Sequence, residues 1–435
     1  MRKNYCLVGV GSRGMSMWAK PLVTDYPETA CLTGVCDLNL GRVHLAREQL
    51  GADVQGFTDF DEMLDTVPCD CVIVTTKDAT HDEFIIKALR RGKDVITEKP
   101  LTVNAEKCRA ILAAEKETGR KVQVTFNARY VPYRTKIKQL IQAGIVGEIH
   151  SVEFHWYLDT VHGVDYFRRW HRKKENSGGL LVHKATHHFD LVNWWLELDP
   201  VEVAAMGSRR YYAPHRQPMH GERCLTCQVT EDCAFYMDIS APGMKSLYLE
   251  QEQHDGYVRD ACVFSEDTDI EDTMSLIVQY DRGVQMTYSL TAATAFEGWR
   301  VAFNGSKGRL EAFEPECFVT QPDQTQLQMR SQSSVRKRVN WEQATAQTSD
   351  VVNAHTVRFY PLFGGVQTFD VPIEEGMHGG GDQRLRDDLF LAVGEEDALK
   401  HLAGSREGAM SCLIGIAANV SMAEKRFVGI EELLR

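Results

Sequence analysis

Residues 7–14, Leu7-Val8-Gly9-Val10-Gly11-Ser12-Arg13-Gly14, form a G-x-G-x-x-G run after a short apolar segment and before a helical pattern. In a strand-turn-helix unit the first glycine permits the tight turn, the second lets the backbone approach a pyrophosphate, and the third allows close packing. The pyrophosphate then lies at the helix N-terminus. The run therefore predicts a dinucleotide site, and the alternative is a glycine-rich turn without a ligand. The expected contacts are Gly9, Gly11, Ser12, Arg13 and Gly14.

An acidic residue ends the second predicted strand. Asp37 follows the apolar run 31–36, at the distance where a carboxylate can bind both hydroxyls of an adenosine ribose. A carboxylate there repels a 2′-phosphate, so the sequence favours NAD. Arg42 could offset that repulsion and admit NADP. The alternative for Asp37 is a helix cap.

The chain has 435 residues, of which 43% are hydrophobic, and its formal net charge is −12. This length predicts two domains with a large core. The acidity, without a long basic run, argues against nucleic acid and membrane surfaces as partners. No apolar stretch approaches the ~20 residues that span a bilayer, and no signal-peptide pattern precedes the first strand. We therefore expect a soluble, cytoplasmic protein.

Helix and strand patterns alternate from Cys6 to about Phe126, which is typical of a doubly wound parallel sheet. We expect a nucleotide-binding domain at 1–126 and a second domain at 127–435. Ligands bind beyond the carboxyl ends of the strands in such sheets. The residues near those ends that we expect to contact the cofactor are Thr75, Thr76, His81, Glu98, Lys99 and Asn127.

Several motifs together resemble one family. They are the G-x-G-x-R-G turn, the T-T-K-D-A-T-H segment, Glu98-Lys99-Pro100 at a strand end, and a later G-G-(x)7-H-x-x-D segment. Over nearly its whole length the chain resembles the Gfo/Idh/MocA oxidoreductases. The resemblance implies an N-terminal Rossmann domain and a C-terminal α/β domain whose open, mostly antiparallel sheet carries substrate. It also implies oxidation or reduction of sugar or cyclitol hydroxyls with NAD(P).

Lys99 is the principal catalytic candidate. Oxidation of a carbinol requires the hydroxyl proton to leave, so a base or hydrogen-bond partner must lie within reach. Burial beside a nicotinamide cation would lower the pKa of this lysine and make it usable near neutral pH. The alternative is a surface lysine before a proline, but Pro100 holds the preceding backbone extended at the strand end. We expect Glu98 and Pro100 to position Lys99.

The stretch 177–195 predicts a helix with a polar stripe. His183 and His187 are four residues apart and so share one face of that helix. For His187 we favour acid–base chemistry or substrate binding over a structural role. A catalytic metal is disfavoured because these histidines lack the glutamate of H-E-x-x-H and lie beside Lys184.

The resemblance gives roles to the polar residues of this stretch. It implies that His187 works with the E-K-P lysine and that Asp190 orients His187. The aspartate that many members carry four residues before that histidine is His183 here. We therefore expect Lys184 as an added participant, and we expect His183, Lys184 and His187 to contact substrate as well as to take part in catalysis.

An aromatic and polar segment that looks like a loop precedes this stretch. Flat aromatic faces that alternate with hydrogen-bond donors suit a sugar ring, although an interface strand is an equal alternative. The segment contains Trp156, Tyr157, Asp159, His162, Tyr166, Arg168, Arg169, Trp170 and His171. The residues that we expect to contact substrate, besides Lys99 and the pair of histidines, are Arg129, Tyr157, Tyr166, Arg169 and Trp170. For Arg129 a packing role is equally favoured.

Four of the twelve cysteines lie together in a polar segment, with the pattern C-x2-C-x5-C and a distant fourth residue. Four thiolates could hold a structural zinc, and His220 could replace one sulfur. An iron–sulfur cluster and free thiols are the alternatives. The four are Cys224, Cys227, Cys233 and Cys262. Six others, Cys6, Cys31, Cys36, Cys71, Cys108 and Cys412, are expected to be small buried apolar groups.

The rest of the chain predicts the second sheet. Residues 275–280 and 284–290 read as antiparallel strands, 320–350 as an exposed insertion or oligomer arm, and 409–425 as a core helix. His378 could reach the cleft, while Asp382 could cap a helix. We expect a homodimer or homotetramer through the second sheet.

These observations predict an oxidoreductase that uses NAD, with NADP as the alternative, on a sugar, cyclitol or glycoside. A second hypothesis is a glycosidase or lyase that oxidises its sugar transiently and restores NAD. A third is a sensor of sugars or nucleotides without catalysis, against which the presence of Lys99 argues.

Overall fold

The computed structural model describes residues 2–316, 354–374, 377–392 and 396–435, and the predicted insertion 320–350 lies outside them. The strands are β1 (Lys3–Val8), β2 (Ala30–Cys36), β3 (Gln55–Phe57), β4 (Cys71–Val74), β5 (Asp94–Thr97), β6 (Val122–Val124), β7 (Ile149–Asp159), β8 (Pro200–Ser208), β9 (Thr273–Tyr280), β10 (Gln285–Thr294), β11 (Glu297–Gly305), β12 (Gly308–Glu316), β13 (Ala354–Pro361), β14 (Gln367–Pro372), β15 (Ala403–Gly404) and β16 (Val428–Gly429).

The helices alternate with the strands in the first half and cover one face of the sheet in the second. They are α1 (Lys20–Thr24), α2 (Leu40–Leu50), α3 (Phe60–Thr66), α4 (His81–Arg90), α5 (Ala105–Thr118), α6 (Pro132–Gln142), α7 (Thr160–Arg168), α8 (Lys174–Ser177), α9 (Leu180–His183), α10 (Thr186–Leu196), α11 (Pro242–Leu247), α12 (Glu252–Asp255), α13 (Gly381–Phe390), α14 (Ser405–Glu424) and α15 (Ile430–Leu434). A π-helical turn (Gly14–Ala19) precedes α1, and short 3₁₀ turns include Asp78–Thr80, Asn127–Tyr130, Trp170–Arg172 and Leu249–Gln251.

The first sheet has the strand order β15-β6-β5-β4-β1-β2-β3. Its central strands are parallel, and β4 is buried at every position, as expected for a sheet with helices on both faces. The short strand β15 comes from near the end of the chain and pairs antiparallel with β6. The nucleotide-binding sheet therefore takes its last strand from outside the predicted segment 1–126, whose boundaries stay a prediction.

The second sheet has the order β14-β13-β12-β11-β7-β10-β9-β8-β16. Only the β7–β10 pair among its described pairings is parallel. Burial alternates strictly along β9, so one face packs against helices and the other is open. The long helix α14 packs across β8 and α10. The two sheets confirm the predicted fold class.

The structure corrects two predicted elements. The stretch 177–195 is not one helix, because α9 ends at His183 and α10 begins at Thr186. The backbone of α9 packs closely on α14 next to this break. A Cβ added to Gly415 of α14 would lie only 2.4 Å from the Leu181 carbonyl oxygen. The predicted aromatic loop is instead the end of β7 followed by α7.

Residues 209–272 form an insertion between β8 and β9, which we call the insertion arm. Its two ends are joined at the base, where the Asp272 carboxylate accepts hydrogen bonds from the backbone N–H groups of Arg210, Tyr211 and Tyr212. Further out, Arg223 pairs with Glu252 and Asp260. These contacts hold the arm as a defined structure rather than as a loose loop.

Burial of the cysteines follows the sequence prediction with one difference. Five of the six predicted apolar cysteines are buried, whereas Cys31 is half-buried. Over the described part of the chain, no helix combines the length and the apolar character needed to cross a membrane.

Candidate active site

The glycine turn has the geometry that the sequence predicts. Gly9 has a φ of +98°, and a Cβ on Gly14 would lie 2.1 Å from the carbonyl oxygen of Gly9. The Thr75 hydroxyl donates to that same carbonyl at 2.5 Å. An added Cβ on Gly11, by contrast, meets nothing within 4 Å. The turn is thus packed on its inner side and open at Gly11, where a pyrophosphate can approach the backbone.

Arg13 and Glu98 join the glycine turn to the lysine-bearing loop. Arg13 Nε donates to Glu98 Oε1 at 2.8 Å, and Trp18 Nε1 donates to the same oxygen at 2.9 Å. Arg13 also pairs with Asp382 at 3.2 Å, and Asn127 donates to Asp382 at 2.5 Å. These contacts tie Arg13, Glu98 and Asn127 into one hydrogen-bonded group beside the glycine turn, and their contact with a cofactor stays a prediction.

Asp37 lies at the end of β2 as predicted. Its carboxylate accepts hydrogen bonds from the N–H groups of Val10 and Asn39, each at 2.9 Å. Burial raises the pKa of Asp37, whereas Arg42 and these donors act in the opposite direction. The carboxylate therefore ties the end of β2 to the glycine turn. Arg42 is paired with Asp37 and also with Asp255 of the insertion arm.

His81 connects the segment after β4 with the segment that carries Lys99. Its Nδ1 lies 2.9 Å from the Pro100 carbonyl oxygen, and its Nε2 lies 3.2 Å from that of Thr76. The side chain is 1% exposed, so it has no surface left for a cofactor. We therefore interpret His81 as a brace, while the backbone of Thr76 stays at the strand rim.

Lys99 lies in a cluster of polar groups at the carboxyl end of β5. Its Nζ donates to the His183 carbonyl oxygen at 3.1 Å. The His183 ring in turn meets Asp78, with Nδ1 2.5 Å from Oδ2. Burial lowers the pKa of Lys99, and the charges of Asp78 and Glu98 oppose that effect. Burial thus makes the neutral amine of Lys99 easier to form than it would be in water.

Asp78 is a functional candidate that the sequence analysis missed. It lies in the 3₁₀ turn after β4, is 3% exposed, and has its pKa raised well above the usual value by burial. The signal was present in the T-T-K-D-A-T-H segment, where Asp78 precedes His81 by three residues. A carboxylate buried this deeply beside a lysine is typical of a functional site, and only the structure shows that burial.

Aromatic and imidazole rings surround this cluster. The ring of His171 lies 4.2 Å from that of His183, and Trp170 stacks on His171 at 3.7 Å. Tyr166 lies 5.5 Å from both histidine rings, centroid to centroid. His171 was named in the aromatic segment but not chosen as a contact. Its buried Nδ1 has no hydrogen-bond partner among the described residues, so this atom can serve a ligand.

Arg169 completes the positive side of the cluster. Its charge acts on the pKa of Asp78 and of His171, which places it within electrostatic reach of both. Its buried Nε has no hydrogen-bond partner within the described ranges. Tyr166 and Trp170 pack near the His183 ring, and Arg169 lies within electrostatic reach of Asp78 and His171.

His187 lies within electrostatic reach of Lys99. The charge of Lys99 adds to burial in lowering the pKa of His187 well below its usual value. Its buried Nδ1 finds no hydrogen-bond partner in the described part of the chain. His187 is therefore a neutral imidazole whose Nδ1 is buried. Lys184 instead places Nζ 5.3 Å from the centre of the Trp156 ring.

Asp190 does not orient His187, contrary to the role that the family resemblance implies. Its carboxylate binds Arg129, which donates from Nε at 2.8 Å and from its second terminal nitrogen at 2.6 Å. Arg129 also donates to the Lys400 carbonyl oxygen at 2.8 Å. Both side chains are at most 3% exposed. We therefore reassign Arg129 from substrate binding to a buried ion pair.

Two further predicted residues lie at the edge of the cluster. Tyr157 is half-buried on β7 and packs its ring 5.2 Å from that of Phe296. His378 is half exposed and lies 2.9 Å from Asp382. The charge of His378 also acts on the pKa of His187.

The four clustered cysteines come together but are free thiols. Cys224, Cys227, Cys233 and Cys262 line one cavity in the insertion arm. Burial raises the pKa of Cys262 to about 11, so that sulfur is a protonated thiol near neutral pH. In the described ranges, no group of three or more Cys, His, Asp or Glu side chains is placed to hold a metal ion. The predicted structural zinc is therefore not supported.

The fold and this site together define an oxidoreductase that binds NAD. Residues 3–126 match the family described as "Oxidoreductase family, NAD-binding Rossmann fold", and residues 138–430 match "Oxidoreductase family, C-terminal alpha/beta domain". The chain belongs to the Gfo/Idh/MocA oxidoreductases, which confirms the resemblance drawn from its motifs. It is accordingly an enzyme of that family, and the sensor hypothesis is set aside.

The chain is similar to several known proteins. It is 38% identical over 450 residues to Bacillus subtilis (strain 168) YteT, which carries an oxidoreductase name, and the match covers 100% of this chain and 99% of YteT. It is 30% identical to an inositol 2-dehydrogenase of Rubrobacter xylanophilus, over 46% of this chain and 54% of that protein. It is 31% identical to the 2,7-anhydro-N-acetylneuraminate hydratase of Escherichia coli (strain K12), over 57% and 61%.

One solved structure shows the shared fold. The WlbA dehydrogenase from Bordetella pertussis, in complex with NADH and UDP-GlcNAcA, has a TM-score of 0.64, an identity of 16%, and coverage of 99% of both chains. At this identity the likeness supports the architecture alone.

Proposed function

We propose that the protein is an NAD-dependent oxidoreductase acting on a hydroxyl or keto carbon of a sugar, cyclitol or glycoside. The observation that carries the proposal is the position of Lys99. Its ammonium group lies at the carboxyl end of a Rossmann strand and is held 3.1 Å from the His183 carbonyl oxygen. The ring of the same His183 packs against Tyr166 and His171 of the second domain.

The residues at the rim fit a dinucleotide. Gly9, Gly11 and Gly14 shape a turn that is open to a pyrophosphate, with the π-helical turn and α1 following it. Asp37 would bind the adenosine ribose hydroxyls. When bound, NAD accepts the hydride that leaves the substrate carbon. Ser12, Thr75 and Thr76 stay proposed neighbours of the cofactor because they lie on the same rim.

Lys99 is proposed to receive or hydrogen-bond the proton of the substrate hydroxyl. Its lowered pKa increases the fraction of neutral amine available at a given pH. His187, a neutral imidazole within electrostatic reach of Lys99, is proposed to bind a second oxygen of the same substrate. His183 and Asp78 form a pair that fixes the lysine loop and adjusts the charge around it. Lys184 stays a weaker proposal because it faces Trp156.

The substrate class rests on the rings around Lys99 and on the relatives. Tyr166, Trp170 and His171 present flat faces and polar edges, which suit the C–H patches and hydroxyls of a saturated ring. The inositol 2-dehydrogenase relative is named for a cyclitol. Both lines of argument favour a polyhydroxylated ring over a purely apolar alcohol.

A second candidate function is redox-neutral chemistry on a sugar ring, in which a carbon is oxidised transiently and NAD is restored within the same turnover. The relative named as a hydratase of 2,7-anhydro-N-acetylneuraminate favours this candidate. The proton-handling residues would be the same, because both reactions begin at a ring hydroxyl.

The open face of the second sheet supports assembly through that sheet. Exposed positions on it include Met206 and Ile277, at 78% and 49% exposure. Burying such side chains against a second copy would be favourable. We therefore propose a homodimer or homotetramer formed through the second sheet.

The proposed function is tested with a panel of sugars, cyclitols and aryl glycosides, by following NADH absorbance and aglycone release together. Accumulating NADH supports the dehydrogenase, and a converted substrate without NADH supports the redox-neutral reaction. Lys99→Ala is expected to lower turnover about 100-fold or more while leaving NADH binding intact. Lys87→Ala is the control, because Lys87 pairs with Glu83 on the exposed side of α4 and should leave turnover unchanged. Unchanged turnover in Lys99→Ala would remove that residue from the mechanism.

A further inference from the structure

The insertion arm reaches from the second domain to the adenosine end of the nucleotide site. Asn39, just after the ribose-binding aspartate, donates from Nδ2 to the Gln251 carbonyl oxygen at 2.9 Å. The Gln251 side chain also packs on Gly41, where an added Cβ would be 1.7 Å from its Oε1. The arm therefore lies directly on the start of α2, beside the proposed ribose position.

The arm places a second carboxylate on Arg42. The guanidinium of Arg42 lies 3.6 Å from Asp37 Oδ1 and donates a hydrogen bond to Asp255. The three side chains are 9%, 11% and 7% exposed, in the order Arg42, Asp37 and Asp255. Asp255 is also held within the insertion arm, since it accepts a hydrogen bond from the Tyr257 N–H. The three groups thus form a compact and largely desolvated cluster.

The charges in this cluster decide which nucleotide it suits. One guanidinium between two carboxylates leaves a net charge of about −1, and the weak screening at buried positions makes that charge effective. A 2′-phosphate needs a guanidinium whose charge is free for it. Arg42 alone could have supplied that charge, but its fork is engaged by Asp37 and Asp255.

We propose that Asp255 is a positioning residue that sets cofactor specificity. By holding Arg42 it withholds the guanidinium from a 2′-phosphate, so that the site takes NAD and rejects NADP. This inference rests on the proposed function, since it assumes a dinucleotide along the glycine turn. It assigns to the insertion arm a task in the nucleotide site of the other domain.

The test measures the Kd of NADH and of NADPH by fluorescence titration, without any sugar. Asp255→Asn keeps the shape but removes the charge, and we expect the ratio of the NADPH Kd to the NADH Kd to fall about tenfold or more. Glu250→Gln is the matched control, because Glu250 lies in the same part of the arm but pairs with Lys245 instead. We expect no change in the ratio for this control.

A second variant separates charge from folding. In Asp255→Asn combined with Arg42→Leu, the gain in NADPH binding should disappear, because the gain depends on the released guanidinium. An unchanged ratio in Asp255→Asn, including a parallel weakening of both nucleotides, would overturn the role of Asp255. So would an equal shift in Glu250→Gln. If the native protein binds neither nucleotide, the proposed function itself fails, and this inference fails with it.

Discussion

Replacing Asp78 with asparagine tests the pair beside Lys99. The bond between Asp78 Oδ2 and His183 Nδ1 is 2.5 Å long and lies in a buried site. A hydrogen bond to a charged group contributes about 1.5–3 kcal/mol. If that energy supports the reactive arrangement, its loss lowers kcat about 10- to 100-fold. NADH binding should change less than turnover does, because the hydrogen bond that is lost runs to His183.

The same substitution has a signed effect on pH dependence. Burial lowers the pKa of Lys99, and the charge of Asp78 raises it. Removing that charge therefore lowers the pKa of Lys99 further. In the oxidation direction the rate needs neutral lysine, so the rising limb of the pH–rate profile should move to lower pH in Asp78→Asn.

The assay is steady-state turnover between about pH 6 and 10 on the substrate found with the panel, together with NADH titration. Asp82→Asn is the matched control, because Asp82 follows the same 3₁₀ turn but pairs with Lys107. The control should keep both its kcat and its pH profile. An Asp78→Asn enzyme with native kcat and an unmoved profile would refute the coupling of Asp78 to Lys99.

Two further predictions follow from buried contacts. Arg129→Ala leaves the Asp190 carboxylate buried without its partner and should lower the free energy of unfolding by about 3–5 kcal/mol in a urea titration; a loss below about 1 kcal/mol would contradict a structural role for the pair. Gly11→Ala should weaken NADH binding without changing Tm, because its Cβ meets no protein atom within 4 Å, whereas Gly14→Ala should lower Tm because its Cβ would lie 2.1 Å from the Gly9 carbonyl oxygen. Equal effects of the two glycine substitutions on Tm would contradict this reading of the turn.

The local features of the nucleotide half could be predicted because their signals lie within short stretches of chain. The glycine turn needs only a strand before it and a helix after it, and both are visible in the spacing of apolar residues. The position of Lys99 at a strand end follows in the same way, since Pro100 holds the backbone extended before it. The alternation of elements also predicted the parallel sheet, although not the strand β15 that comes from near the end of the chain.

The roles of the charged residues could not be predicted in this way. Arg129 and Asp190 stand 61 positions apart, and nothing near either one marks them as partners. The prediction of a single helix for 177–195 was wrong for a related reason. The helix breaks next to a close contact with Gly415, and helix propensity along the sequence does not show that contact.

By itself, then, the amino-acid sequence determined the dinucleotide turn, the parallel sheet and the position of the lysine at its rim. Only the tertiary structure decided which groups surround that lysine and the ribose position. Asp78 meets His183 across 105 residues, and Arg42 meets Asp255 across 213. The physical reason is that a buried charge needs a partner nearby in space. Which residue that partner is depends on how the chain packs, and it cannot be read from the separation of the two residues in the sequence.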